Sequence, residues 1–307
     1  MTFPVLASAN DTYNCIALQK GTALSKQLKR THTLYEIQYD YDLHDETLKI
    51  PVGSILQFKG GHIANGTIIF DNTIIKSYYK EVYSFISVEG SIVNDEVRIS
   101  WWKLAYDKNV NDAILFNQIV NAIDNCVHYY DIQQDVFVGT DKTNWINEET
   151  VAFLNKKNLI VIQPTEYYTI LRGRSTIGSV VRCNENKYIS IDGLKVDRGH
   201  VSNRKCGENG IGVVGNEKVL IQNRFIRNCY SNCFDSNANG TLTKNGGVLV
   251  ARESRLREAL SPYRPLSEAT ASRTVILVSL TMLPIKKILL CTGIILIPSI
   301  CHLFYCV

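Results

Sequence analysis

Four short strings in the second half of the chain repeat one order of apolar and polar positions: Tyr130-Asp131-Ile132-Gln133, Ile160-Val161-Ile162-Gln163, Ile189-Ser190-Ile191-Asp192 and Val219-Leu220-Ile221-Gln222. Each reads apolar, any, Ile, then an amide or carboxylate, and their starts are 30, 29 and 30 residues apart. In the last two, Gly193 and Asn223 follow, then Val196 and Ile226 in matching places. Two apolar residues alternating about a third predict a short strand with one buried face. Recurrence near 30 residues is a solenoid period, in which each repeat buries its apolar face only by stacking on the next. Turn signals lie between the strings, at Asp192-Gly193, Arg198-Gly199, Asn209-Gly210, Gly215-Asn216 and Asn239-Gly240. Asn and Gly tolerate the positive φ that a coil needs where it changes direction. An Asn there can also bond the equivalent position one coil away, so stacked amides are expected. The pattern predicts an all-β fold, a right-handed single-stranded parallel β-helix over 129–246. A sandwich would turn about every 8–12 residues.

The first part of the chain follows the same rule in a tighter form. Residues 1–34 are an N-terminal segment. Over 35–98, Leu48-x-Ile50, Ile55-x-x-Phe58, Ile68-x-Phe70 and Thr73-Ile74-Ile75 read as strands punctuated by Gly53, Gly60-Gly61 and Asn65-Gly66. This β-rich lead-in is either an extra β-helical turn or a small β-domain. Within 99–128 lies the one clear helix. Asn111-Asp112 offers a cap, and Ile114, Ile119, Val120 and Ile123 recur at helical spacing to about Asn125. An open coil end exposes apolar core and unpaired edges, so the helix is expected to cap it.

Composition separates the C-terminal tail from this body. The chain has 307 residues and a net charge of +4, yet residues 247–307 hold five Arg and two Lys against three Glu. The first 246 residues are therefore neutral overall, and charge offers no case for nucleic acid. All 25 Asn fall in residues 1–246, and Asp ends at Asp235. Residues 288–307 carry no formal charge, a length that would span a bilayer as a helix. Two readings stay open: a C-terminal membrane anchor, or a tail translated from a shifted frame. Residues Met1–Asn10 do not resemble a secretory signal. The six body cysteines show no C-x-x-C pattern and are expected to be buried thiols. Cys206, Cys229, Cys233 and His200 match no zinc-ligand spacing, so no metal and no cofactor is expected.

Several strings resemble a known family. Tyr41-Asp42-Leu43, Thr47-Leu48-Lys49-Ile50-Pro51, Leu56-Gln57-Phe58-Lys59-Gly60-Gly61 and Ile63-Ala64-Asn65-Gly66-Thr67-Ile68 resemble a lead-in found in β-helix proteins of gut Bacteroides and their phages. Ser100-Trp101-Trp102, Asp107, Asp112 and Ala122-Ile123 resemble the opening segment of pectate-lyase-like proteins, although that segment's glycines are replaced here. The resemblance covers roughly residues 35–245. It implies recognition of a bacterial or plant polysaccharide on a lateral face, in a phage tailspike or a secreted glycan-active protein. The implied location is extracellular, on a cell surface or on a virion tail, with membrane anchoring through 288–307 as the alternative. For a tailspike it implies a homotrimer, which no residue here specifies. Lyases, hydrolases and non-enzymatic adhesins share this fold, so whether the chain is an enzyme stays open.

Candidate chemistry is sparse. Hydrolysis of a glycoside needs two carboxyl groups about 5–10 Å apart. Asp192 has Gln163 and Gln222 as its expected counterparts, which reads as an amide ladder. Asp197, Arg198 and His200 place a carboxylate, a cation and an imidazole at one coil exit, and Gly199-His200 resembles part of a polygalacturonase-type G-H-G motif. Asp197 and His200 are the candidate catalytic pair, Asp235 a further carboxylate, and Arg198 a substrate contact; a solvated polar turn is the alternative. Among the aromatic doublets Tyr78-Tyr79, Trp101-Trp102, Tyr129-Tyr130 and Tyr167-Tyr168, strand alternation sends one member outward. Tyr167 and Tyr168 are the candidate sugar-stacking residues, with packing of strand ends as the alternative.

Overall fold

A computed structural model of the protein describes residues 13–123, 126–128, 134–139, 150–163, 171–173, 179–197, 209–222, 225–229, 234–237, 239–245, 248–251, 275–276, 295–297 and 300–302. These residues are mostly β-strand, and the fold is all-β with parallel sheets. One strand pair is antiparallel, Ile295–Ile297 with Ile300–His302.

The chain builds two stacks of different period. In the first, Asn14↔Thr33, Ile63↔Tyr83 and Tyr83↔Trp102 are partners, a step of 19 or 20 residues. Asp40↔His62 extends the range to 22. The strand His62–Lys76 is long enough to join both halves of this sheet, pairing with strands on either side. Thr67 to Thr73 thus lie within one strand, where the sequence pattern suggests two. Inward positions carry large apolar side chains. Tyr83 stacks on Trp102 with ring centroids 5.3 Å apart, and Phe58 meets Tyr83 edge-on at 5.1 Å.

From Cys126 to Ala251, successive strands visit three parallel sheets in rotation. The first contains Cys126–His128, Leu159–Ile162, Tyr188–Asp192, Lys218–Gln222 and Thr241–Asn245. Lys195–Asp197 belongs to the second, and Val151–Leu154, Ser179–Asn184, Asn209–Val214 and Phe234–Asn237 form the third. The step is 30 residues where Ile189 pairs with Val219 and Val151 with Val181. It shortens to 23 where Lys218 pairs with Thr241 and Phe225 with Val248. The strand Val248–Ala251 therefore pairs with the stack beyond residue 246.

Two register expectations are corrected. Leu159, not Ile160, pairs with Ile189, so the step is 30 here as well. Leu159 and Val161 are buried while Ile160 is only partly so, and a one-residue slip would have turned the wrong face inward. The first repeat strand is Cys126–His128, four residues ahead of the Tyr130 string, which lies outside the described residues. The amide ladder is also displaced. Asp192 stands opposite Ile162 and Gln222, accepting a hydrogen bond from Gln222 Nε2 at 2.8 Å. Gln163 instead accepts one from the Lys195 N–H.

The stacked amides lie at the corner between the third and first sheets. Asn155, Glu185 and Gly215 each have positive φ, at 30-residue intervals, and turn the chain. The next residue in each coil forms the ladder. Asn186 Oδ1 accepts from Lys156 N–H at 2.8 Å, Asn216 Oδ1 from Asn186 N–H at 3.0 Å, and Asn239 Oδ1 from Asn216 N–H at 3.1 Å. Each amide nitrogen donates back to the preceding strand, Asn186 to Phe153 O and Asn216 to Cys183 O. Both side chains are buried, so these groups have no water to replace a lost partner.

At the bottom rung the ladder position is Lys156. Its Nζ donates to the carbonyls of Val120 and Ile123 at 2.6 and 2.7 Å, closing the C-terminal end of the helix Ala113–Asn121. A cation there also complements the helix dipole. The helix is shorter than its sequence pattern, and Ile114 is exposed rather than inward; Phe116, Ile119 and Val120 make the buried face. At its start, Asp112 is buried and accepts hydrogen bonds from Ala105 N–H at 2.7 Å and Phe137 N–H at 3.3 Å. It thus ties the first stack to the second. Asn111 makes the turn contact instead, accepting from Ala113 N–H. Of the cysteines, Cys15 is exposed, against expectation, while Cys183 is buried and its thiol is pushed up in pKa by that burial.

Two predictions follow from these contacts. Asn186→Ala orphans the Lys156 N–H and the Phe153 carbonyl, and should lower unfolding free energy by about 3 kcal/mol, read from a urea transition. Burial raises the Asp112 carboxyl from 3.8 to about 6, against the backbone N–H groups that lower it. The folded state then holds this proton more tightly than the unfolded chain. Its stabilising contribution is complete below 3.8 and is lost as pH rises through about 6. Wild type minus Asp112→Asn stability should therefore fall by about 2 kcal/mol between pH 4 and pH 7; a flat difference would refute the assignment.

Candidate functional site

The helix and the third sheet create a groove as a direct result of their periodicities. Ile114, Asn117, Gln118 and Asn121 recur at helical spacing, on the face opposite Phe116 and Val120. On the adjoining strands Val151, Phe153, Val181 and Cys183 point inward, which leaves Ala152, Leu154, Arg182 and Asn184 on the outer side. Ala152 pairs with Arg182 and Leu154 with Asn184, so the outer residues form two adjacent rows. Together with Thr150 these residues enclose about 390 Å³, within the usual range of ligand sites.

Two amides at the groove also hold the structure together. Asn117 Oδ1 accepts from Ala152 N–H at 2.8 Å, and its Nδ2 donates to Thr150 O at 2.7 Å. It stands in for a neighbouring strand at the open edge of the third sheet. Gln118 Oε1 accepts from Val88 N–H at 3.1 Å on the first stack. The helix therefore satisfies sheet-edge groups on both sides. Arg182, Asn121 and Asn184 make no side-chain hydrogen bond or ion pair among the described residues, and Ile114 and Leu154 are exposed at the rim. Among the described residues the lining contains a guanidinium and several amide planes, and no carboxylate, imidazole or thiol. It can bind a polar or anionic ligand.

Of the residues singled out from sequence, Asp197 and Asp235 are described, and neither lines the groove. Asp197 is buried on the second sheet, and it is in register with Arg172 on one neighbouring strand and Arg227 on the other. Asp235 lies on the third sheet opposite Gly212. Arg198, His200, Tyr167 and Tyr168 lie outside the described residues, as do Tyr129 and Tyr130. Trp101 and Trp102 are both buried, so neither is the outward member of a doublet; Tyr78 and Tyr79 are both exposed. The groove itself escaped sequence reading because its residues come from a helix and two strands spanning about 70 positions. Its one legible signal was Ile114, whose apolar side chain the helical pattern assigned to the core.

No protein-family model matches the chain, and no curated protein or solved structure matches it either. No helix among the described residues is long and apolar enough to cross a membrane.

Proposed function

We propose that this chain is a right-handed parallel β-helix whose outer side recognises an acidic polysaccharide, at an extracellular, cell-surface or virion-tail location. Rotation of the strands through three parallel sheets supports the β-helix reading. The observation that carries the functional reading is the groove beside the helix. Arg182 can engage a uronate carboxylate through two parallel N–H donors. Asn121 and Asn184 offer amides to neighbouring hydroxyls, and Ile114 and Leu154 offer an apolar rim to the C–H face of a sugar. Retention without cleavage is the outcome this lining favours, since none of its described residues is a carboxylate.

Depolymerisation is the second reading, centred on Asp197, Arg198, His200 and Asp235. It is favoured by one placement, the register of Asp197 between Arg172 and Arg227. A homotrimer packed side by side is the assembly that goes with a tailspike role.

Affinity electrophoresis in gels with polygalacturonate or without glycan tests the binding reading. Wild type should be retarded by polygalacturonate, and Arg182→Gln should weaken that retardation about tenfold. Equal mobility in both gels would discard it. Release of new reducing ends or unsaturated products from polygalacturonate would instead favour depolymerisation, and unchanged turnover in Asp197→Ala would remove the proposed catalytic site.

A further inference from the structure

The first stack has a second concentration of unpartnered chemistry, at the corner where its two sheets meet. Three consecutive connections lie over one another there. Ile37 pairs with Phe58, and Asp40 with His62, so residues 38–39 sit under 59–61. Gln57 pairs with Lys76 and Ile63 with Tyr83, so 58–62 sit under 77–82. The lowest connection contributes Tyr39, the middle one Gly60 and Gly61, and the upper one Tyr78 and Tyr79.

A Cβ at Gly61 would lie 2.4 Å from the Tyr39 carbonyl oxygen, so only glycine lets these coils approach. A Cβ at Gly60 would meet nothing within 4 Å, which means its position opens to solvent. Tyr39, Tyr78 and Tyr79 are 39%, 100% and 52% exposed. Ser77 holds the upper turn, its Oγ accepting from Tyr79 N–H at 2.9 Å and donating to Tyr79 O at 3.0 Å.

Polar groups flank the aromatic ones. Asp40 and Glu81 are exposed and their side chains make no hydrogen bond or ion pair among the described residues, and His62 lies between them. Partial burial lowers the pKa of His62; Asp40 and Glu81 oppose this and Lys103 adds to it. Lys59 is engaged by Glu36. The corner presents two carboxylates beside exposed rings, with the Lys103 cation near them, so it favours no acidic sugar and accepts hydroxyl donors.

We infer that the corner formed by Tyr39, Gly60, Gly61 and Tyr79, with Asp40 and Glu81, is a binding site for the pyranose rings of a neutral glycan. It is a different ligand class from that of the Arg182 groove, and it stands or falls independently of it. Tyrosine is suited to the task because it offers a large amphipathic face with little rotamer freedom to lose.

Affinity electrophoresis of the full chain in dextran, yeast mannan and hydroxyethylcellulose gels tests it. Wild type should be retarded in at least one of these gels. Tyr39→Ala and Tyr79→Ala should each weaken that retardation about tenfold, Tyr79→Phe should preserve it, and the isosteric pair Asp40→Asn and Glu81→Gln should weaken it. Arg182→Gln should leave it unchanged. No retardation in any of the three gels, or retardation that survives both alanine substitutions, would overturn the inference. Loss in Arg182→Gln alone would assign neutral-glycan binding to the groove instead.

Discussion

The ladder Lys156–Asn186–Asn216–Asn239 is the interaction on which the second stack depends. A parallel coil has no helix or hairpin to close its corners, so each corner exposes backbone groups that strand pairing does not satisfy. Here a positive-φ residue makes the turn and the following asparagine satisfies both directions at once, accepting from the coil before and donating to the same coil's strand. Because the side chains are buried, a partial ladder would be worse than an apolar corner. Beneath the bottom rung the end of the helix takes the place of a third-sheet strand. Lysine replaces asparagine there and reaches the helix carbonyls, so the element that seals the stack is bonded to the device that builds it.

The same helix reconciles two incompatible periods. Coils of about 20 residues below and 30 above cannot match in every strand, and the mismatch leaves edges unpaired at the junction. Asn117 and Gln118 supply side-chain partners to Ala152 and Val88, one on each side, while Asp112 binds Ala105 and Phe137 at the other end. The cost is one carboxylate held away from water, which is why its proton affinity rises.

The outer surface divides into chemically distinct regions for the same geometric reason. Strand alternation turns every second residue outward, and coil stacking aligns those residues in rows. Where a row meets the helix it forms a cationic, amide-lined groove; where the first stack turns, it forms a tyrosine corner with carboxylates.

Much of the architecture was legible from sequence. Alternation of apolar positions, a period near 30 and an excess of Asn at turns follow from the need of every coil to bury the same face, so each repeat carries the same local signal. The helix and the stacked amides were legible on the same ground. Register was not: Leu159-Ile160-Val161-Ile162 is apolar at every position, so the string itself cannot say which residues face inward, and the pairing with Ile189 decides it. Nor could spacing show that the amides at Asn186 and Asn216, rather than those at Gln163 and Gln222, carry the ladder, because both recur at similar intervals. The groove and the tyrosine corner exist only where distant segments meet. Ile114, Arg182, Tyr39 and Tyr79 carry no local pattern that relates them, and it is the stacking of coils that brings each set together.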